Sequence, residues 1–312
     1  MLSAEAIKNQ LGRTLKKTDF KTGKRYQGKV RDNYTIGNRR IIVSTDRISA
    51  FDVVLDTIPF KGQVLNQLAG FWFSKTEGAA KSHYIESPDP NVMIAKLCRP
   101  FPVEVVVRGY ITGSLWREYE KRQDNYGLNL PKGMKKDQKF EAPVITPSTK
   151  ATEGHDMPLK RNDVLKLVPE KTYSEIEKMA LRLFAKGREI AARRGLILVD
   201  TKYEFGIFGD EVLVIDEIHT PDSSRFWIKS TYDELFSRSA PQQMLDKEYV
   251  RQWLASNGFT GSGTPPKIPD EVRIEAAKRY IELYELVTGT EFIASDENMP
   301  ERIRNNLKGI LN

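Results

Sequence analysis

The sequence predicts an α+β fold in two lobes: an antiparallel β-lobe over residues 1–110 and a larger α/β lobe over 111–312 that finishes in helices, with a cleft between them. Three observations carry this. Strand-like patterns cluster early and helical patterns late, the order expected when sheet and helices segregate. At 312 residues the chain is long enough for one large domain or two lobes around a sizeable core. Two acidic segments, DTKYEFG (Asp200 to Gly206) and DEIHTPDSSRFW (Asp216 to Trp227), each close a strand-like apolar run, LILV and VLVI, as paired strands ending in a site would.

Residues 26–45 read as strand, turn, strand: YQGKVRDNYTI, Gly37-Asn38, RRIIVST. Val64, Leu65, Leu68, Phe71 and Trp72 recur at helical spacing, so 62–77 should be a helix with one face on a sheet. Apolar strands follow at 92–97 and 103–107. The second, VEVVV, is nearly continuous in apolar character and predicts a central strand buried on both faces, which makes Glu104 odd. A turn through Thr112, Gly113 and Ser114 leads into a helix, LWREYEKR, capped by Thr112 or Ser114. Residues 123–163 carry proline, glycine and charge without a period and read as one long loop, a segment type that is usually functional or mobile. A helix over 174–194 stops at Gly195. LILV and VLVI then form a hairpin through Gly209-Asp210, and helices are expected at 241–256, 270–286 and 300–311.

The register of that hairpin matters. A two-residue turn would set Glu204 against Ile215 and Asp216 against Tyr203; a three-residue loop or a bulge would oppose Glu204 to Asp216. The second arrangement is the one expected. Two carboxylates so placed repel and resist ionising unless a cation lies between them. Oxygen ligands suit Mg2+, which takes one or two carboxylates plus waters and substrate phosphates, so the pair implies that a nucleotide supplies the remaining ligands. Lys202, Asp222 and Arg225 crowd the same strand ends. A polar hairpin rim with solvated charges is the plain alternative.

Lysine and arginine number 49 against 42 acidic residues, a net charge of +7 that suggests anionic partners, either phosphorylated small molecules or nucleic acid. The basic residues are dispersed among acidic ones except in the run from Lys16 to Arg31, and no zinc-finger or RNA-recognition pattern occurs, so nucleic acid is not expected. Cys98 is the only cysteine, which excludes an internal disulfide and a Cys-rich metal site and fits a reducing compartment. The N-terminus has no apolar signal core and no stretch approaches the roughly 20 apolar residues of a membrane span. A cytoplasmic protein without membrane association is expected; nothing in the pattern sets an oligomeric state.

Four motifs bear chemistry. In GKVRD, Gly28 permits close backbone approach, while Lys29 and Arg31, two apart on a strand, face one way and could grip phosphates. A basic edge strand that discourages aggregation explains the same residues. STDRISAFD, Ser44 to Asp52, is read as a polar loop leaving a strand end; binding roles and capping or Asx-turn roles for Asp46, Ser49 and Asp52 account for it equally. In FPVEVVVRGYITGS, Arg108 follows an apolar strand, and Gly109, Thr112, Gly113 and Ser114 build a turn whose N–H groups could cradle an anion at a helix start. A bidentate arginine there suits a phosphate monoester. The loop bearing Lys150 and the HDMP stretch, with His155 and Asp156, could fold over a substrate, although solvated loop charges are the usual case.

FPVEVVVRGYITGS and LVDTKYEFG resemble the two signature segments of the SAICAR synthetase family, the phosphoribosylaminoimidazole-succinocarboxamide synthases. GKVRD, STDRISAFD, KGQVLNQ (Lys61 to Gln67), HDMP and DEIHTPDSSRFW fall in the order seen in that family, over about residues 27–227, and the helical region after Ser230 resembles its longer, single-function form. The resemblance implies a two-lobed α+β fold and an ATP-dependent ligase of de novo purine biosynthesis. Such an enzyme joins the carboxylate of carboxyaminoimidazole ribonucleotide (CAIR) to the amine of L-aspartate, giving SAICAR, ADP and phosphate through phosphoryl activation of the carboxylate, with ATP as co-substrate and Mg2+ as cofactor. It further implies Glu204 and Asp216 as metal ligands, Gly28, Lys29 and Arg31 over the ATP phosphates, and Glu104 near the adenine or ribose. Lys202 would neutralise the moving γ-phosphoryl. Arg108, Ser114 and Arg225 would hold the ribonucleotide, with an arginine on its 5′-phosphate, and Asp222 its aminoimidazole or ribose. Lys150 and Asp156 would contact the aspartate or the reacting carboxylate, and Asp200 would be the general base or only orient Lys202.

A kinase-like phosphotransferase is the main rival, but the chain has no G-x-G-x-x-G loop, no H-R-D segment, and D-E-I where D-F-G would stand. An ATP-grasp ligase with unusual strand order is another reading. A non-enzymatic nucleotide or nucleic-acid binder would leave Lys202, Asp222 and Arg225 without a shared purpose.

Overall fold

Gly37 and Asn38 turn the chain where the sequence predicts, and the strands on either side belong to the first of two larger antiparallel sheets in the computed structural model, which describes residues 2–150, 156–295 and 298–311. This sheet takes β1 (Lys24–Gln27), β2 (Arg31–Ile36), β3 (Arg39–Ser44) and, after an excursion, β6 (Tyr84–Asp89) and β7 (Val92–Lys96), in the order β1-β2-β3-β7-β6. The excursion is a small hairpin, β4 (Arg47–Ala50) and β5 (Val53–Thr57), followed by the helix α2 (Lys61–Lys75); α1 (Ala4–Gln10) precedes the sheet. The expected single strand YQGKVRDNYTI is therefore two strands. Gly28 breaks it into a tight turn, with its N–H donating to the Arg31 carbonyl at 2.8 Å, so Lys29 sits in the turn and does not share a strand face with Arg31. STDRISAFD is likewise not a loop: its end is the β4–β5 turn, where Phe51 and Asp52 take positive φ of 52° and 65°, as a tight primed hairpin turn requires.

The second sheet has the order β11-β10-β8-β9, built from β8 (Arg99–Tyr110), β9 (Lys139–Thr149), β10 (Leu196–Phe208) and β11 (Glu211–Ile215). β12 (Ser224–Ile228) also pairs with β10, along its first half, while β11 takes the second half. The change of sheet thus falls between Lys96 and Arg99, earlier than the division at residue 110 that strand clustering suggested. VEVVV is central and, as expected, buried on both faces apart from the half-buried Val106. Val103, Val105 and Val107 point into the core under α5 (Glu170–Arg193), whereas Glu104, Val106 and Arg108 alternate with them at the floor of a cleft, where Glu104 and Arg108 are still buried.

Two further expectations fail for identifiable reasons. Residues 123–163 contain the eleven-residue strand β9, hidden by Pro143 and Pro147; both are tolerated because β9 is the sheet edge, where missing N–H donors break few ladder bonds. The hairpin between β10 and β11 has a two-residue turn with Gly209 at φ 59°, pairing Phe208 with Glu211 and Glu204 with Ile215, so Glu204 does not oppose Asp216.

The remaining helices are α3 (Gly113–Glu120), α4 (Arg161–Val164), α6 (Tyr232–Ser237), α7 (Glu248–Ser256), α8 (Asp270–Thr288), α9 (Met299–Asn306) and α10 (Lys308–Leu311). α7 is shorter than the expected 241–256 because the chain before it runs alongside β12, with Leu245 N–H donating to the Phe226 carbonyl at 3.2 Å. Thr112 stands at the N-cap of α3, but neither its side chain nor that of Ser114 caps the helix. The C-terminal helices return to the first sheet. Met299, Ile303 and Leu307 of α9 and the residue after it pack on Leu15, Phe20, Tyr34, Ile41, Val43 and Val92, and the buried Arg302 donates to Asp89 at 3.0 and 3.2 Å and to Asn91 at 2.6 Å.

Candidate active site

One face of the two central strands carries a ladder of charge. The register sets Asp200 against Arg108, Lys202 against Val106 and Glu204 against Glu104. Because alternate residues share a face, all six point the same way, into a cleft of about 850 Å3 between the sheets, while Tyr203 and Phe205 go into the core behind. Like charges directly opposed across a ladder destabilise it unless something neutralises them. Here the Lys202 ammonium does so, at 2.7 Å from Glu104 Oε1 and 2.6 Å from Glu204 Oε1, and Lys150 pairs with the other Glu204 oxygen. Burial alone would lift the Glu204 pKa, but Lys202 and Lys150 outweigh it and hold this carboxylate well below its ordinary range. Glu104 shows the opposite balance: burial lifts its carboxyl to about 7, with Lys202 opposing and Glu204 adding to the rise. For Lys202, burial is outweighed by Glu204 and Glu104, so the ammonium is held well above its usual value and stays charged.

Because β11 and β12 divide β10 between them, the loop joining them leaves the sheet beside Lys202, whose N–H donates to the Ser223 carbonyl at 2.9 Å. That loop is DEIHTPDS. Asp216 opens it in a left-handed conformation, φ 66°, a strain that its contacts offset. Arg31, from the first sheet, donates to Asp216 Oδ1 at 2.7 Å and also pairs with Glu217; His83 donates to the Asp216 carbonyl at 3.2 Å. Burial depresses His83 to about 4, so it acts as a neutral donor. Farther along, Asp222 is buried and held from two sides, by Lys61 at the start of α2 (2.8 Å) and by the Tyr280 hydroxyl of α8 (2.7 Å). Burial would raise its pKa, but Lys247 and Lys61 together hold it well below the usual range.

The opposite end of the ladder is built on arginine. Arg108 donates to Thr146 at 2.8 Å, to Asp200 at 3.1 Å and to Ser114 at 3.1 Å; Arg225, from β12, pairs with the same Asp200 oxygen. Asp200 therefore organises two guanidinium groups, not Lys202. Gly113 makes room for this: its φ is 59°, and a Cβ there would lie 2.4 Å from the Arg225 guanidinium. Gly109, expected in the turn, is instead within β8.

The fourteen residues for which the resemblance implies a site role, Gly28, Lys29, Arg31, Glu104, Arg108, Ser114, Lys150, Asp156, Asp200, Lys202, Glu204, Asp216, Asp222 and Arg225, line this one cleft, as do Ser49 and Asp52; Asp46, Gly109, Thr112 and Gly113 do not. His155 lies outside the described residues. Glu204 and Asp216 are brought to the same cleft by different routes from the one expected. Among the described residues no group of three or more His, Cys, Asp or Glu side chains is gathered around a metal position, and Lys29 pairs with Asp52 across the mouth. The sequence reading missed His83, Lys61 and Tyr280, which hold Asp216 and Asp222, and the Asp246–Arg251 segment at the cleft wall, where burial lowers Lys247 to about 8. Lys61 opens the quoted KGQVLNQ motif; the others carried no local signal.

Comparison with known proteins gives a consistent result. A family model described as SAICAR synthetase matches residues 24–266. The phosphoribosylaminoimidazole-succinocarboxamide synthase of Bacteroides thetaiotaomicron is 46% identical over 311 residues, covering 96% of this chain and 99% of its own; that of Cytophaga hutchinsonii is 47% identical over 293 residues, covering 91% and 94%. Among solved structures, the Saccharomyces cerevisiae SAICAR synthase complexed with SAICAR superposes with a TM-score of 0.79 at 32% identity, over 90% of this chain and 100% of that one. A type-2 SAICAR synthetase in complex with ADP gives 0.68 at 25% identity, over 87% and 100%. The two-sheet α+β architecture, the charged cleft and these matches lead to one conclusion: the chain belongs to the SAICAR synthetase family and is a ligase of purine biosynthesis.

Proposed function

We propose that the cleft joins CAIR to L-aspartate at the expense of ATP, with the nucleotide phosphates at the carboxylate end of the ladder and the ribonucleotide at the arginine end. The observation that carries this is the ladder itself, which sets a Lys202-bridged carboxylate pair and an Asp200-bridged arginine pair four residues apart on one strand face. A carboxylate is a poor electrophile. Transfer of the ATP γ-phosphoryl to an oxygen of the CAIR carboxylate gives an acyl phosphate and ADP; the aspartate amine then attacks the carbonyl carbon, the C–N bond forms, phosphate leaves, and the amine loses a proton. Catalysis of such a transfer is mainly positioning and charge neutralisation.

Lys202 suits the neutralising role, because its neighbours keep it protonated and two residues of β-strand carry it between both reacting ends. Arg108, Ser114 and Arg225 form a rigid fork for the 5′-phosphate, and Asp222, fixed by Lys61 and Tyr280, presents an acceptor to the aminoimidazole or ribose. Lys29 and Arg31 enclose the ATP phosphates from the first sheet, with Glu104 nearby. Lys150 and Asp156 approach the reacting carboxylate from the edge of β9. Asp200 acts as organiser of the arginines. Hard carboxylate oxygens at Glu204 and Asp216 fit Mg2+, whose need for one or two carboxylates plus phosphate oxygens does not require a third acidic ligand. Bound there, the ion would supply charge neutralisation to the ATP phosphates, and Lys150, Lys202 and Arg31 are the cations that now balance these carboxylates. No described helix is long and apolar enough to cross a membrane, in keeping with a cytoplasmic setting for small-molecule substrates.

The test is ADP release with ATP, Mg2+ and CAIR, with and without L-aspartate. Turnover that requires aspartate and yields SAICAR is expected. Turnover indifferent to aspartate, or phosphate appearing on another acceptor, would overturn the reading.

A further inference from the structure

The turn from Gly28 to Arg31 carries only one exposed cation at its tip, Lys29, and that lysine is paired with Asp52. Its backbone is organised far more tightly than its side chains. The buried Arg47 of β4 donates from Nη2 to the Gly28 carbonyl at 3.0 Å and from Nε to the Lys29 carbonyl at 3.0 Å. Thr45 takes the next carbonyl, that of Val30, through its N–H at 3.0 Å and its Oγ1 at 2.8 Å. Three successive carbonyls are thus drawn to one side. In a planar trans peptide the N–H points away from the carbonyl of the same unit. The N–H groups of Lys29, Val30 and Arg31 are therefore turned to the other side. Gly28, Lys29, Val30 and Arg31 line the cleft, and Thr45 and Arg47 do not, so that other side is the cleft. Successive backbone N–H groups facing one concavity form an anion receptor.

We propose that Arg47 is the positioning residue that makes this turn a receptor for the terminal phosphates of the nucleotide, a role resting on the reading above that the turn covers those phosphates. Its own charge is met behind the turn by the fully buried Asp32, at 2.9 Å, which Thr18 also holds through N–H and Oγ1 at 2.6 and 3.0 Å. A fourth contact, Nη1 to the Lys16 carbonyl, ties the same guanidinium to the preceding segment. The planar fork reaches two turn carbonyls and a carboxylate at once. An ammonium, a point donor on a flexible stem, cannot. Arg47 does not line the cleft; it fixes the direction of the peptide groups that do.

The experiment is calorimetric titration of wild type, Arg47→Lys and Lys29→Ala with Mg·ADP, AMP, inorganic tripolyphosphate and CAIR, alongside steady-state kinetics and thermal melts. Arg47→Lys keeps the charge beside Asp32 and is expected to weaken Mg·ADP and tripolyphosphate about tenfold, the scale of one charge-assisted hydrogen bond, with AMP and CAIR changed by less than about twofold. KM for ATP should rise with kcat largely kept. Lys29→Ala should weaken the same two ligands by removing the side-chain cation. If Lys29→Ala weakens them and Arg47→Lys does not, the positioning role is overturned while the phosphate cover stands. If Arg47→Lys weakens all four ligands alike in step with its melting temperature, it is only a structural prop and the proposal fails. If neither variant affects ADP or tripolyphosphate in a wild-type protein that binds both, the reading of the turn itself falls. Thr45→Val, which keeps the N–H bond to the Val30 carbonyl but loses the Oγ1 contacts to that carbonyl and from the Arg47 N–H, guards against misfolding of the lysine variant: a loss of about two- to threefold confined to ADP and tripolyphosphate is expected, and no change would count against the mechanism.

Discussion

The two ends of the charge ladder are neutralised in different ways. At one end, lysines balance Glu104 and Glu204; their side chains are about a third exposed, 32% for Lys202 and 35% for Lys150. At the other, Arg108 and Arg225 balance Asp200 with side chains only 6% and 18% exposed, their planar groups locked by Thr146, Ser114 and the space left by Gly113. A flexible, hydrated ammonium can exchange one carboxylate for another anion at small cost, whereas a buried guanidinium fork offers one geometry. On the proposed reading, the carboxylate end would take charges that come and go, metal and migrating phosphoryl, and the arginine end a phosphate that stays bound throughout.

The comparison breaks most directly at its carboxylate end. On the proposed reading, Glu204→Gln and Asp216→Asn should each lower kcat by about a thousandfold or more in a protein that still folds, a loss well beyond what the lower melting temperature expected from breaking their ion pairs would explain. Near-normal turnover in either variant would remove that residue from the metal site. At the arginine end the effect should be smaller and fall on binding. Arg225→Lys should raise KM for CAIR by about ten- to a hundredfold with KM for ATP little changed, and Gly113→Ala, which drives a methyl into the Arg225 guanidinium, should do the same. A parallel rise in both KM values would erase the distinction between the ends.

A third test uses pH. The folded-state pKa of Glu104 is raised from 4.5 to about 7, chiefly by burial. The stability it contributes is therefore present below about pH 4.5 and lost as pH rises through 7. Relative to Glu104→Gln, the ligand-free wild type should lose stability over that window, on the order of 2 kcal/mol, read as a difference between two melting curves. A constant difference across the window would mean that Lys202 compensates Glu104 fully. The smallest effect is expected where compensation is already complete: Tyr280→Phe removes one hydrogen bond from Asp222 but leaves Lys61 in place, and should cost about 1 kcal/mol with kcat reduced only severalfold.

What the sequence revealed was local. The β2–β3 hairpin, α2, α5 and both acidic strands are legible because turn residues and side-chain periods lie within a few positions of each other. β9 was hidden because its prolines contradict a central strand, and only the sheet order shows that it is an edge. The partner of Glu204 could not be read from its own hairpin. The tight Gly209-Asp210 turn gives it Ile215, and the carboxylate that faces it, Glu104, arrives from a strand a hundred positions earlier. Asp200, Lys202, Glu204, Asp216 and Arg108 stood out because unusual charge lies at or near the ends of apolar strands, whereas Gly28, Lys29, Lys150 and Asp156 gained weight only from the family resemblance; His83 and Tyr280 escaped because a single histidine or tyrosine within an ordinary element carries no such contrast, and Lys61 was seen only as the first residue of a motif.

The docking of α9 on the first sheet bears on how the protein is made. Asp89 and Arg302 are 213 positions apart, yet they meet in one buried ion pair, beside a core that needs Met299, Ile303 and Leu307 to cover Tyr34, Ile41 and Val43. During synthesis from the N-terminus, the sheet that carries the Gly28–Arg31 turn is produced well before the side chains that seal its outer face, since Arg302 follows Asp89 by 213 positions. That sheet must wait with an apolar face uncovered, so the nascent chain has a long interval of aggregation risk that closes only when α9 arrives.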